Sequence, residues 1–243
     1  MADRLLITCE HGGNRIPLRY RPLFEGFEAL LQTHRGYDPG ALAVARQMAG
    51  VLAAPLFFST TSRLLIDLNR SIGHPFLYSD ATRNTPASVR REILEQHYLP
   101  YRSQVEAHIA SEIAHGRRVI HFSSHSFTPV LDGEVRNADI GLLYDPSRPG
   151  EAELCRRWQA RLKASAPEWK VRRNYPYTGR SDGLTAYLRR RFPADAYVGI
   201  ELEINQKHVL HGGRPWGAMR SHVIEALIQA GWPDEPRQPR RDG

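Results

Sequence analysis

Two histidines, His11 and His125, each follow an apolar run of the kind that builds a buried strand. The first lies in Glu10-His11-Gly12-Gly13-Asn14, where two glycines make a tight turn with little steric cover for the imidazole. The second lies in Ser123-Ser124-His125-Ser126, a serine-rich turn with no large side chain to cover the ring. An uncovered imidazole at a strand's end suits a metal ligand or a general base, and two of them from adjacent strand ends can share one cation. Asp38, in His34-Arg35-Gly36-Tyr37-Asp38-Pro39-Gly40-Ala41, has two readings. It can cap the helix that follows, or it can be the carboxylate that completes a two-histidine, one-carboxylate site with a position left for water. His34 and Glu10 are the other candidates for that third ligand. His121 lies inside its apolar strand and reads as a core histidine or a partner behind the ligands.

A second group is carried by Tyr197-Val198-Gly199-Ile200-Glu201-Leu202-Glu203-Ile204. Residues i and i+2 of a strand share a face, so Glu201 and Glu203 point together, opposite Ile200, Leu202 and Ile204. Two carboxylates in an apolar run are costly to bury without partners. The strand is therefore either an edge with a solvated acidic face, or it carries a base that takes a proton from water and returns it to a leaving amine. Arg63, Arg70 and Arg180 stand near these turns. Their planar forks match a substrate carboxylate, although each could equally make a surface ion pair.

These groups must be positioned by strands that alternate with helices. Apolar runs predict strands at Leu5–Cys9, Leu56–Phe58, Leu64–Leu68, Val119–Phe122, Ile140–Tyr144, around Val171, and at Tyr197–Ile204. Helices are predicted over Ala41–Leu52, from Thr85-Pro86 to about His115 with a kink near Pro100, and over Glu151–Ala164, Gly183–Arg191 and Trp216–Ala230. That alternation predicts a three-layer α/β sandwich with a mixed, largely parallel sheet, whose active site gathers at the carboxyl ends of strands. One domain is expected over residues 1–232, followed by a disordered Pro/Arg-rich tail at 233–243.

Of the 243 residues, 33 are basic and 26 acidic, for a formal charge of +7. The arginines are scattered and aromatic residues make up only 9%, so nucleic-acid binding is the weaker reading of that charge. Runs such as Arg189-Arg190-Arg191 read as solvated faces, and a modest positive field attracts a small anionic substrate. No apolar stretch reaches the roughly 18 residues of a membrane span, and the N-terminus lacks a signal-peptide pattern. Cys9 and Cys155 read as buried reduced thiols, which fits a cytoplasmic protein. A monomer or small homo-oligomer is expected.

In order along the chain, CEHGGNRIP at 9–17, HRGYDPGA at 34–41, SRLLIDLNRS at 62–71, SSHS at 123–126, NYPYTG at 174–179 and ELEINQ at 201–206 resemble the N-formylglutamate amidohydrolase family. That family is similar in fold to zinc-dependent carboxypeptidases. The resemblance implies one divalent metal ion, zinc, held by His11, Asp38 and His125. It implies Glu203 as the catalytic base, with Glu201 as the alternative two residues away. The carboxypeptidases draw their third ligand from three residues after the first histidine, and here that position is Asn14, a poor zinc ligand. Arg63, Asn69 and Arg70 would hold the substrate, and Asn174 and Tyr177 would line the pocket. The implied reaction is hydrolysis of a small acidic amide to formate and glutamate, within amino-acid degradation. Lys207 and His208 directly after Gln206 depart from some members, and leave open a metallo-peptidase or amidase acting on another small amide. A basic nucleic-acid-binding protein is the alternative outside enzymes.

Overall fold

Side chains that alternate between the two faces of three long, buried strands sort the chain into layers on either side of one sheet. The computed structural model describes residues 2–231, and the expected disordered tail lies outside them. Strand β1 (Asp3–Cys9) is followed by two short helical segments, at Leu18–Phe24 and α1 (Glu28–Leu31), and then by α2 (Ala41–Val51) and β2 (Leu56–Phe58). Next come α3 (Ala87–Ile93), a π-helical turn at Leu94–Tyr98, α4 (Leu99–Ala114) and β3 (Arg118–Phe127). A small hairpin, β4 (Val130–Leu131) and β5 (Glu134–Val135), leads to β6 (Ile140–Leu143), α5 (Pro149–Ser165) and β7 (Val171–Arg173). The chain continues through α6 (Leu184–Arg191), β8 (Tyr197–Asn205), α7 (Gln206–His211) and α8 (Gly213–Gln229).

The main sheet has the order β2-β1-β3-β8-β6-β7, and every pair is parallel except β6 with β8. Ile7, Cys9, Ile120, Phe122, Val198, Ile200 and Leu202 face one core, against α2, α5 and α8. Helix α2 fits there because Ala41, Val44, Ala45 and Met48 recur at helical spacing on one stripe, and all four are buried. Leu6, Val119 and Tyr197 face the opposite core, against α3, α4, α6 and the 62–77 segment. Among the described residues no helix is long and apolar enough to cross a membrane. Cys9 and Cys155 are buried free thiols.

Three sequence expectations are corrected. Leu64–Leu68 is not a strand: it runs through turns, with Leu65 N–H on the Ser62 carbonyl and Asp67 N–H on the Leu77 carbonyl. Its apolar run is buried because the segment packs as a plug into the second core, and burial alone cannot tell a plug from a central strand. Ser123–Ser126 is not a turn but the continuation of β3, so these residues still alternate between faces. Helix α2 is not capped by Asp38. Gly40 holds that place at φ 83°, where an L side chain is strained, and a Cβ there would lie 2.6 Å from Val209 Cγ2. The kink expected near Pro100 takes the form of the π turn immediately before it, with Pro100 in the first turn of α4, where its missing N–H leaves no bond unmade.

The arginine run on α6 also divides. Arg191 is exposed and pairs with Glu106, but Arg189 is buried. Arg189 Nε donates to Glu151 Oε1 at 2.9 Å and Nη2 to the Gly199 carbonyl at 2.7 Å. Glu151, fully buried, also accepts from Gly199 N–H at 3.1 Å, so the pair clamps α5 and α6 onto β8. Arg189→Ala leaves that carboxylate uncompensated and should lower unfolding free energy by about 3–5 kcal/mol, whereas Arg191→Ala should cost less than about 1 kcal/mol. Urea denaturation of the two variants would expose a mistaken assignment if they lost stability equally.

Candidate functional site

Alternation on neighbouring parallel strands turns one face of the sheet polar at its carboxyl end. Register pairs Thr8 with Ser123, Ser123 with Glu201, and His125 with Glu203. Thr8, His121, Ser123, His125, Glu201 and Glu203 therefore share a face, and Glu10 extends it just beyond β1. The other side of the same stretch anchors the loop that carries Asp38: Ser124 Oγ donates to the Ala41 carbonyl at 2.9 Å and Ser126 Oγ to the Pro39 carbonyl at 2.7 Å. Asp38 N–H reaches the His11 carbonyl at 2.9 Å. Gly12 lets the turn after β1 lie close to the 59–60 segment, since a Cβ there would lie 2.8 Å from the Ser59 carbonyl oxygen.

The two distant histidines meet. Their ring centroids are 5.1 Å apart, and both rings are buried. His125 Nδ1 lies 2.8 Å from Asp38 Oδ2, and His11 Nδ1 lies 3.3 Å from the same oxygen. One ligand atom from each of His11, Asp38 and His125 falls within 4.8 Å of the others. Behind them, His11 Nε2 donates to Asp67 Oδ1 at 2.7 Å, and His125 Nε2 is 3.1 Å from Glu10 Oε2 and 2.9 Å from Ser123 Oγ. Each imidazole thus has a carboxylate behind it and turns Nδ1 toward a shared centre. Carboxylate-backed histidines are what metal sites use to fix ring orientation. A set of two imidazoles and one carboxylate also suits a divalent cation, because bonds of about 2 Å from one ion leave its ligands separated by roughly 3 Å.

The charges point the same way. Burial alone would raise the carboxyls of Glu10, Asp38 and Asp67. His125 overcomes it at Glu10, His11 with His125 and Arg63 at Asp38, and Arg63 with His11 at Asp67, so all three lie below their ordinary range. Burial opposes protonation of His125, but Asp38 and Glu10 outweigh it and raise its pKa well above the usual value. Three ionised carboxylates thus surround the two imidazoles and Arg63, a field in which a bound cation would be stabilised.

Glu203 behaves differently. Burial, with Asp38 and Glu201 adding and His125 and Arg63 opposing, pushes its carboxyl up from 4.5 to about 8. Its Oε2 is buried without a hydrogen-bond partner. Glu201 is engaged instead, accepting a hydrogen bond from Thr185 Oγ1. The β8 strand is central rather than an acidic edge, so Glu203 meets what enters the cleft and not bulk solvent along an edge.

A cleft of about 240 Å³ is lined by His11, Asp38, His125, Glu201 and Glu203 and bordered by Arg63, Arg70, Arg136 and Tyr177. Past His34, Arg63, Arg70 and Tyr177 it adjoins a larger cavity of about 650 Å³. Other expected residues lie elsewhere. Arg180 is exposed and pairs with Asp145. Asn174 shapes its own loop, its Oδ1 accepting from Tyr144 N–H at 3.0 Å and Gly179 N–H at 3.1 Å. Arg63 is spent internally: Nη2 meets Asp67 Oδ2 at 2.7 Å and Nη1 meets Asp38 Oδ1 at 3.3 Å. Asn69 lies in the cleft with its Oδ1 accepting from Leu184 N–H at 2.6 Å. Asn14 turns away to the Leu31 carbonyl. His34 lines the cleft without joining the cluster, and Glu10 stands behind His125 rather than beside the shared centre. His121 is a buried core histidine between Thr8 and Tyr197, its pKa pushed down to about 4 by burial. Sequence reasoning missed Asp67 and Arg136. Asp67 sits in the SRLLIDLNRS segment but was read as part of a strand, and Arg136 follows a hairpin with no motif to flag it.

The sequence profile of the N-formylglutamate amidohydrolase family matches residues 3–210. The chain belongs to that family. A gene product of Agrobacterium tumefaciens, known from its crystal structure, is 31% identical and superposes with a TM-score of 0.80 over 93% of this chain and 89% of its own. The crystal structure of N-formylglutamate amidohydrolase from Ralstonia eutropha JMP134 shares the fold at 17% identity, with a TM-score of 0.67 over 94% of this chain and 92% of its own. No curated protein sequence matches the chain.

A carboxyl whose pKa is raised on folding keeps the fold's full stability below its ordinary value and loses stability as pH climbs through the folded value. In metal-free protein, Glu203→Gln should therefore melt at a higher temperature than the parent at alkaline pH. The gap should open between pH 4.5 and about 8. Thermal melts in chelator across that range test this, and two parallel curves would contradict it.

Proposed function

We propose that this chain hydrolyses the amide bond of N-formyl-L-glutamate, or of a similar N-acyl amino acid, with a divalent metal held by His11, Asp38 and His125. The observation that carries the proposal is that buried cluster facing Glu203, a carboxyl on the adjacent strand with a free, buried oxygen. Family membership supports the amide substrate. Zinc is the metal we favour, and a cytoplasmic role in amino-acid degradation the setting.

A divalent cation bound there supplies a Lewis-acidic centre that acidifies water and neutralises developing negative charge. Glu203 accepts the proton of the water that attacks the formyl carbon. A raised pKa suits this task, since a base poised near the working pH can both take and return a proton. Glu203 then donates to the departing amine nitrogen as the carbon–nitrogen bond breaks, and formate and the free amino acid leave. Asp67 and Glu10 hold the two imidazoles in orientation, and Ser123 shares the second task. Arg63 keeps Asp38 and Asp67 ionised, and Asn69, which also lines the cleft, is the donor we assign to the oxyanion. Arg70 is available to an incoming carboxylate: Nη1 donates to the Asp182 carbonyl at 2.7 Å, and Nε is buried without a partner.

Glu203→Gln should retain metal and lose about 10²–10⁴-fold in turnover, measured as formate release. Under the same assay His125→Ala should lose both metal and activity while keeping its circular dichroism spectrum, and an active, metal-free His125→Ala would end the proposal. Asp67→Asn should weaken metal affinity by about 10–100-fold, read by competition with a chelating dye, through loss of its grip on His11.

A further inference from the structure

Arg136 has a buried nitrogen, Nη1, with no hydrogen-bond partner among the described residues, and it lines the same cleft as Glu203. Water-mediated catalysis explains the unpartnered oxygen of Glu203, but nothing in that chemistry uses the arginine. Arg136 sits between β5 and β6, where its backbone is fixed: its N–H donates to the Pro129 carbonyl at 2.8 Å, and its carbonyl accepts from Asn205 Nδ2 at 3.3 Å. Its guanidinium lies over the Tyr177 ring, 4.9 Å from the centroid, which orients the planar fork. Among the described residues no carboxylate pairs with it. Of the other cations bordering the cleft, Arg63 is committed to Asp38 and Asp67, and Arg70 is tied by one nitrogen to Asp182. A buried guanidinium N–H without a partner is costly, and a carboxylate arriving from solution would remove that cost.

We infer that Arg136 is a specificity-determining residue that grips the side-chain carboxylate of an acidic amino-acid substrate, so that the chain discriminates glutamate from its uncharged isostere. The inference rests on the amidohydrolase reading. The α-carboxylate stays beside the amide nitrogen, within reach of Arg70, which borders the cleft with an unpartnered Nε. The side-chain carboxylate reaches outward, to where Arg136 and Tyr177 border the cleft. His34 does not compete for it: burial first, then the charge of Arg136, lowers its pKa and favours its neutral form.

The test compares zinc-loaded parent, Arg136→Gln and Arg136→Lys on N-formyl-L-glutamate and N-formyl-L-glutamine. Arg136→Gln should raise KM for the glutamate substrate with little change in kcat. It should thereby cut the ratio of the two kcat/KM values by about 10-fold or more, the share of one charge-assisted hydrogen bond. Arg136→Lys should restore part of that ratio. Equal losses on both substrates, or none on glutamate, would overturn the inference while leaving the amidohydrolase reading intact. If the parent turns over neither substrate, that reading fails by itself. Calorimetry of L-glutamate against L-glutamine then reads Arg136: tighter glutamate binding that Arg136→Gln abolishes upholds the inference, and equal binding ends it.

Discussion

Asp38 Oδ2 is shared by two imidazoles that arrive from different strands, and most of the surrounding architecture exists to make that contact possible. Bringing His11, His125, Asp38, Glu10, Asp67 and Arg63 out of water is expensive, and each group is tolerable only while its neighbours remain in place. The sheet provides the first condition, because parallel register brings β1 and β3 side by side with their carboxyl ends level. The serines of β3 provide the second, since Ser124 and Ser126 point away from the cluster and fasten the 38–41 segment. Gly40 provides the third by turning the chain into α2 without spending Asp38 on the cap. Removing any one of these shifts Asp38, and with it the shared centre.

The same interdependence explains why an arginine that looks like a substrate ligand is not free to act as one. Two buried carboxylates, Asp38 and Asp67, need a neighbouring cation, and Arg63 supplies it with both nitrogens of its fork. The cations that the cluster does not consume, Arg70 and Arg136, border the cleft farther out, where the proposed anionic substrate would meet them. Glu201 and Glu203 divide in a similar way. Both sit on the polar face of β8, yet Glu201 has a hydroxyl partner, and that local difference separates a satisfied carboxylate from one with an open oxygen.

What the sequence made legible follows from which physical signals are local. Period-two alternation in β8 placed both glutamates on one face, and strand-end placement singled out His11 and His125, because these depend only on nearby residues. Helix boundaries held to within a few residues for the same reason. Leu64–Leu68 misled because a buried irregular segment and a central strand carry the same apolar run. Arg189 misled because its neighbours Arg190 and Arg191 suggested a solvated face, while its buried partner Glu151 is distant in sequence. Asp67 and Arg136 escaped notice because what makes each informative, an imidazole in direct contact or an aromatic ring beneath a guanidinium, exists only after folding. Arg180 shows the converse: a suggestive residue type next to a matching segment can still be spent elsewhere, here on Asp145.

Charge is layered through the cleft. At its floor lie three carboxylates held ionised around two imidazoles and Arg63, a field that favours a cation. At its border lie Arg70 and Arg136, each with a nitrogen that has no partner. An anionic amide entering this field is drawn by the border and repelled by the carboxylates below, so its carboxylates stay outside while its neutral amide is the end that can descend. Field strength falls steeply with distance in water but far less in a closed cleft, which makes the ordering of charge along the cleft matter more than the total of +7. On the proposed function, the orientation that this layering favours would bring the scissile carbon toward Glu203 and keep the anionic groups away from it. Binding and reaction geometry thus come from one arrangement of charge, and an amide lacking the acidic groups would be held by neither layer.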